Sequence, residues 1–160
     1  VVTFACDTGN KYLSKLFNDF WLEDQGFIQR EPHGDLRDLV GRPHDECATI
    51  TVGPTDILTT AHNRLRNAGF SQLPVMDEGK LVGVVTEDTI IQYTFGKPEL
   101  MNTTVGEAME TAFIQLEKGT SINNLVAMLS VQPYAAVMDA DSFFGLITRS
   151  DVLNYLRKQI

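Results

Sequence analysis

Thr148 and Asp151 stand three residues apart, between the apolar run Phe143 to Ile147 and the pair Val152-Leu153. A hydroxyl and a carboxylate at that spacing on a strand-to-helix turn are good helix-start chemistry, because their oxygens can accept from exposed backbone N–H groups. Sixty-two residues earlier the chain reads Thr86-Glu87-Asp88-Thr89, with the carboxylate one place early and Thr89 at the position matching Asp151. Neighbouring helical positions are rotated by about 100°, so Asp88 aims away from whatever Asp151 faces. The two turns are therefore expected to be unequal.

Other residue patterns carry less. Asp7-Thr8-Gly9 matches the aspartic-protease triplet, but such an enzyme needs two carboxylates sharing a proton in a β-rich fold, and here a helical pattern follows at once. His33, His44 and Cys47 lack a fourth metal ligand and lie across a linker, so they read as surface residues and no metal is expected. His62 reads as a solvated side chain. There is no glycine-rich phosphate loop and no nucleophile elbow. A net charge of −8 and a pI near 4.7 argue against nucleic acid. No apolar run approaches the roughly 20 residues needed to span a bilayer. Two cysteines, Cys6 and Cys47, are too few for a disulfide framework and point to reduced thiols in a cytoplasmic protein.

The elements that position Thr148 and Asp151 are written twice. Val75-Met76-Asp77, Gly83-Val84-Val85-Thr86 and Ile90-Ile91 recur as Val137-Met138-Asp139, Gly145-Leu146-Ile147-Thr148 and Val152-Leu153 at an offset of 62. Leu58, Ala61 and Leu65 recur as Ile122, Leu125 and Leu129 at an offset of 64, so the loop before the first hairpin is two residues longer. Each copy is too small to bury a full core alone, which requires the copies to pack together.

The spacing predicts a short helix over 36–40, a strand over 48–52, and a helix capped by Thr55-Asp56 that stops at Gly69. A hairpin over 73–85 and a helix from Glu87 follow. The second copy repeats this with a helix over 105–109, a strand over 113–116, a helix from Ser121, a hairpin over 135–147 and a helix over 150–158. The fold class is α/β (α+β), two tandem β-α-β-β-α units. Val1 to Ala5 reads as a doubly buried strand and Leu13, Leu16, Phe17 and Phe20 as a helix, the expected end of a larger domain lying upstream.

Leu73-Pro74-Val75-Met76-Asp77 … Gly83-Val84-Val85-Thr86, paired with Ala136-Val137-Met138-Asp139 … Gly145-Leu146-Ile147-Thr148-Arg149-Ser150-Asp151, resembles a tandem pair of CBS domains, the Bateman module. The segment from Val1 to Leu22 resembles the closing strand and helix of the pyridoxal-phosphate (PLP) domain of cystathionine β-synthases. The resemblance implies a catalytic remnant over 1–27, a linker over 28–35, and CBS motifs over 36–96 and 103–158. It implies a regulatory, non-catalytic chain whose parent is a PLP-dependent lyase of cysteine biosynthesis, with the PLP site upstream of Val1. It further implies an adenosine ligand, either S-adenosylmethionine or AMP/ATP, with Thr148 and Asp151 on the ribose. Ala48, Thr49, Ile50, Phe70, Ser71, Gln72 and Ile147 would line the adenine, and Thr86 and Thr89 would form a weak second site. Modules that bind S-adenosylmethionine often carry an acid where this chain has Ser71. Partners implied are the chain's own catalytic domain and a second copy, as a homodimer. The competing reading is a structural or oligomerising module with degenerate pockets.

Overall fold

The computed structural model describes residues 22, 27–28, 33–40, 43–44 and 49–157, in two compact units, Val1–His33 and Gly34–Ile160. In the first unit the Phe27 N–H donates to the Leu22 carbonyl at 2.9 Å. The strand expected at Val1 to Ala5, the helix through Leu13 to Phe20, and Ala48 lie outside the described residues.

The second unit is built from the repeat. Leu58, Ala61 and Leu65 fall on one face of helix α1 (Leu58–Ala68) and are fully buried, as the 3.6-residue period requires. The helix stops at Gly69, whose φ of 68° is open to a residue without Cβ. The Phe70 N–H then bonds back to the Leu65 carbonyl at 3.0 Å. Asp56 does not cap this helix, contrary to the sequence expectation: Ile57 is the N-cap, without a side-chain bond. The Asp56 carboxylate instead accepts from the Gly53 N–H at 3.0 Å and from Arg64 at 2.9 Å.

Strands β1 (Gln72–Asp77) and β2 (Lys80–Thr86) form an antiparallel hairpin, followed by α2 (Glu87–Thr94). A 3-10 turn, Pro98–Asn102, leads to α3 (Val105–Ala108). In the second copy β3 (Gln115–Glu117) pairs in parallel with β4 (Tyr134–Asp139), and β4 pairs antiparallel with β5 (Ser142–Thr148). Helix α4 (Ile122–Leu129) lies between β3 and β4 in sequence, and α5 (Arg149–Arg157) follows β5.

The first strand differs between copies. The run over 48–52 was expected as a strand, yet only Val52 pairs, as a parallel bridge to Val75, whereas the second copy has three paired residues. Prolines explain this. In the second copy Ala136 N–H donates to the Ile114 carbonyl at 2.8 Å and Lys118 N–H to the Met138 carbonyl at 2.9 Å. The matching positions in the first copy are Pro74 and Pro54, which have no N–H to give. The ladder is cut on both sides of Val52, whose own two bonds, to Pro74 and Met76, survive. The expected strand over 113–116 lies slightly later, at Gln115–Glu117.

There are two cores, and the short helices are exchanged between them. The segment expected as a helix over 36–40 is a 3-10 turn, Leu36–Asp38, followed by buried Leu39 and Val40. These side chains pack with Leu125, Leu129, Ala135, Val137 and Ile147 of the second copy. Val105 of α3 joins Leu58, Leu65, Leu73 and Val85 of the first. The repeated glycines sit where the exchanged segments cross. A Cβ on Gly145 would fall 2.5 Å from Cγ1 of Val40, and one on Gly83 would fall 2.6 Å from Sδ of Met109. In both hairpins a bulge of one residue, Val82 or Phe144, precedes that glycine and bends the strand at the crossing.

Glu110 fastens the exchange. Its backbone makes both bonds of an antiparallel bridge to Val84, at 2.9 and 2.8 Å. Its carboxylate accepts from the hydroxyl of buried Tyr134 at 2.5 Å. Burial and the adjacent carboxylate both raise the tyrosine pKa far above its ordinary value.

Candidate functional site

Both Thr turns are reciprocal caps. In the first copy the Thr86 hydroxyl accepts from the Thr89 N–H at 3.0 Å, and the Thr89 hydroxyl accepts from the Thr86 N–H at 2.8 Å. The Thr89 hydroxyl also donates to the Thr86 carbonyl at 2.9 Å and accepts from the Thr86 hydroxyl at 3.2 Å, so its one donor and two acceptor positions are all engaged. In the second copy the Thr148 N–H and hydroxyl both donate to Oδ2 of Asp151, each at 2.7 Å, and the Asp151 N–H reaches the Thr148 hydroxyl at 3.4 Å. Both bonds to the carboxylate fall on one oxygen. A carboxylate has roughly four acceptor positions, which leaves Oδ1 for a second partner. That is the physical content of the difference between Thr89 and Asp151.

The remaining expected residues divide by copy. Ile50 and Phe70 are half-buried against the first core. The Ser71 hydroxyl donates to the Gln72 side chain at 2.6 Å, and its carbonyl accepts from the Glu87 N–H at 3.0 Å. Thr49 is half-buried beside Ile50 in sequence, and Arg64 donates to the next carbonyl, Thr51, at 2.8 Å. Ile147 is fully buried in the second core, so a ligand beside it would meet its backbone and not its side chain. Strands β2 and β5 approach each other.

A hollow of about 240 Å³ lies beside Thr89 and not beside Asp151; Gln92, Tyr93, Glu107 and Ala108 complete its lining. The Glu107 carboxylate there already accepts from the Tyr93 hydroxyl at 3.2 Å and the Thr104 hydroxyl at 3.1 Å. Arg149, next to Thr148, gives its Nε–H to the Leu129 carbonyl at the end of α4, at 2.8 Å. Among the described residues no group of three or more potential metal ligands comes together. His44 is not a surface residue as expected: it is half-buried, its Nδ1 is buried with no hydrogen-bond partner among the described residues, and its ring lies 5.4 Å from Phe143. Its packing follows from the exchanged segment that carries it onto the second copy, which no local pattern announces.

Comparison with known proteins agrees with this architecture. The family model for the CBS domain matches residues 37–96. A CBS domain-containing protein from Bacillus anthracis superposes with a TM-score of 0.69 at 22% identity, covering 85% of this chain and 99% of that one. The chain folds as a CBS domain pair. The CBS-domain protein CBSX2, solved in complex with AMP, superposes with a TM-score of 0.67 at 19% identity over 78% of this chain and 97% of that one. Cystathionine beta-synthase of Dictyostelium discoideum is 27% identical over 98% of this chain. The chain spans about a third of the length of the curated relatives it matches.

Proposed function

We propose that this CBS domain pair is the regulatory module of a cystathionine β-synthase and binds one adenosine ligand, S-adenosylmethionine or AMP/ATP, at the cleft headed by Thr148 and Asp151. The observation that carries this reading is the use of Asp151: its Oδ2 caps α5 with two bonds, and Oδ1 remains to accept from the vicinal hydroxyls of a ribose. Thr89, at the matching place, has its one oxygen engaged by Thr86. Ile50, Phe70, Ser71 and Gln72 supply the purine wall, with Thr49 and Ala48 continuing the strand.

Ligand binding acts through differential affinity, by favouring one arrangement of the two copies over another. The linker over 28–35 carries that preference toward the PLP-dependent core of the parent lyase. Self-association through helices is part of the same reading, since Ile91 and Phe95 at the end of α2, and Leu153 and Leu156 on α5, are exposed by half or more.

Thermal unfolding with S-adenosylmethionine, AMP or ATP tests this. A ligand at about a hundred times its dissociation constant stabilises by roughly 2.7 kcal/mol, a rise in Tm of about 5 to 10 °C for a chain of this size. Asp151→Ala lowers the baseline through the lost cap and also removes the ligand response. Asp151→Thr installs the cap seen at Thr89 and removes the ligand response alone. If no adenosine ligand shifts the Tm, the module is not such a sensor; an unchanged shift in Asp151→Thr removes the carboxylate from the site.

A further inference from the structure

Gln132 stands two residues before the second hairpin, the place that Phe70 holds before the first. Its Oε1 accepts from the Ile114 N–H at 3.0 Å, and its Nε2 donates to the Ala112 carbonyl at 3.4 Å. The partners fix which way the amide points, because a backbone N–H can meet only the oxygen and a carbonyl only the NH2 group. At the offset of 64, Ala112 and Ile114 match Ala48 and Ile50, the stretch assigned above to the purine wall. An NH2 donor beside an acceptor is also what an adenine edge presents, through its exocyclic amine and the neighbouring ring nitrogen. The glutamine side chain therefore makes, from within the chain, the pair of bonds that an adenine would make to this stretch of backbone. The Ile114 carbonyl is taken as well, by the Ala136 N–H at 2.8 Å.

The first copy differs at both points. Position 70 is Phe, with no hydrogen-bonding group on its side chain, and Pro74 has no N–H to offer the Ile50 carbonyl. Among the described residues no hydrogen bond is made to the backbone of Ile50, whereas that of Ile114 is taken on both its N–H and its carbonyl.

We propose that Gln132 is a resident occupant of the second copy's backbone edge and a specificity-determining residue: its carboxamide holds the backbone groups of Ala112 and Ile114 that a purine would need, and so keeps adenosine ligands off the wall that the cross-copy pairing proposed above assigns to Thr86 and Thr89. The inference rests on the adenosine reading above. A tethered side chain competes at an effective concentration of order millimolar, so a weakly held purine loses to it. Occupancy of one cleft per chain then follows from two separate features, the engaged Thr89 hydroxyl and the seated Gln132 amide.

The test is a titration of AMP into the 15N-labelled chain, following the backbone amides of Ile50 and Ile114 and the side-chain NH2 of Gln132. In the unaltered chain the Ile50 signal is expected to move saturably while Ile114 and the Gln132 NH2 stay fixed. In Gln132→Ala combined with Thr89→Asp, Ile114 also moves saturably. A saturable shift at Ile114 in the unaltered chain overturns the proposal, and so does a fixed Ile114 in the double variant. Where the alanine change impairs folding, Gln132→Glu is read in its place, since its carboxylate keeps the length but repels the Ala112 carbonyl. A silent Ile50 with a responsive Ile114 in the double variant sinks the primary cleft and leaves the role of Gln132 standing, so the two failures are told apart.

Discussion

Gly145→Ala probes the exchange of short segments at its tightest point. A methyl group there falls 2.5 Å from Cγ1 of Val40, about 1.5 Å closer than carbon atoms pack comfortably. Val40 is 2% exposed, and a β-branched side chain has little rotameric freedom with which to retreat. Overpacking of this kind costs about 1 to 3 kcal/mol, and a midpoint of 2 kcal/mol lowers Tm by roughly 4 to 8 °C in a chain of this length. Val40→Ala alone removes two buried methyl groups and costs about 2 kcal/mol. In the double variant the new methyl enters the space that valine leaves, so the two losses partly cancel, with a coupling of about 1 to 2 kcal/mol. Urea unfolding of the four proteins measures this. Strict additivity, or a Gly145→Ala variant within about 0.5 kcal/mol of the parent, refutes the placement of the 36–40 segment on the second copy. Gly83→Ala meets the movable Met109 sulfur and, at 3.0 Å, the Glu110 carbonyl; its loss is expected to be the smaller of the two.

The remaining predictions are briefer. Because burial and Glu110 raise the Tyr134 pKa, the folded chain holds that proton more tightly than the unfolded one. Its contribution is complete below the ordinary tyrosine value of about 10 and falls as pH rises above it. Tyr134→Phe is expected to lose about 1.5 to 3 kcal/mol at neutral pH and to show a shallower alkaline decline in urea unfolding; parallel pH curves contradict the Glu110 contact. Thr86→Ala removes one half of the cap on α2 and is expected to cost about 1 kcal/mol, read as faster amide exchange at Thr89. Unchanged exchange there refutes the cap.

The hairpins, the stop of α1 at Gly69 and the inward faces of α1 and α4 were legible in the sequence, because each is set by local chemistry: alternating β-branched residues, a glycine at positive φ, a 3.6-residue apolar spacing. So was the inequality of Thr89 and Asp151. The expected cap by Asp56 failed because Arg64, eight residues on, competes for the same carboxylate. The short first strand was readable in principle, since Pro54 and Pro74 forbid its ladder, but only after β3 showed which bonds those positions carry.

Local chemistry sets the hairpins of the two copies and the residues that cap the helices after them, since those features depend on neighbours within a few residues. Which core each short segment enters is a matter of long-range packing. Burial of apolar surface is non-directional, so nothing in Leu36, Leu39 and Val40 names the second copy as their partner. The close approach of Gly145 to Val40, the Glu110 tie to Tyr134 and the seat of Gln132 on Ala112 and Ile114 all join residues 18 to 105 positions apart. The first exists because the two copies pack on one another; the other two tie the stretch before β3 to β4 and to the turn that precedes it.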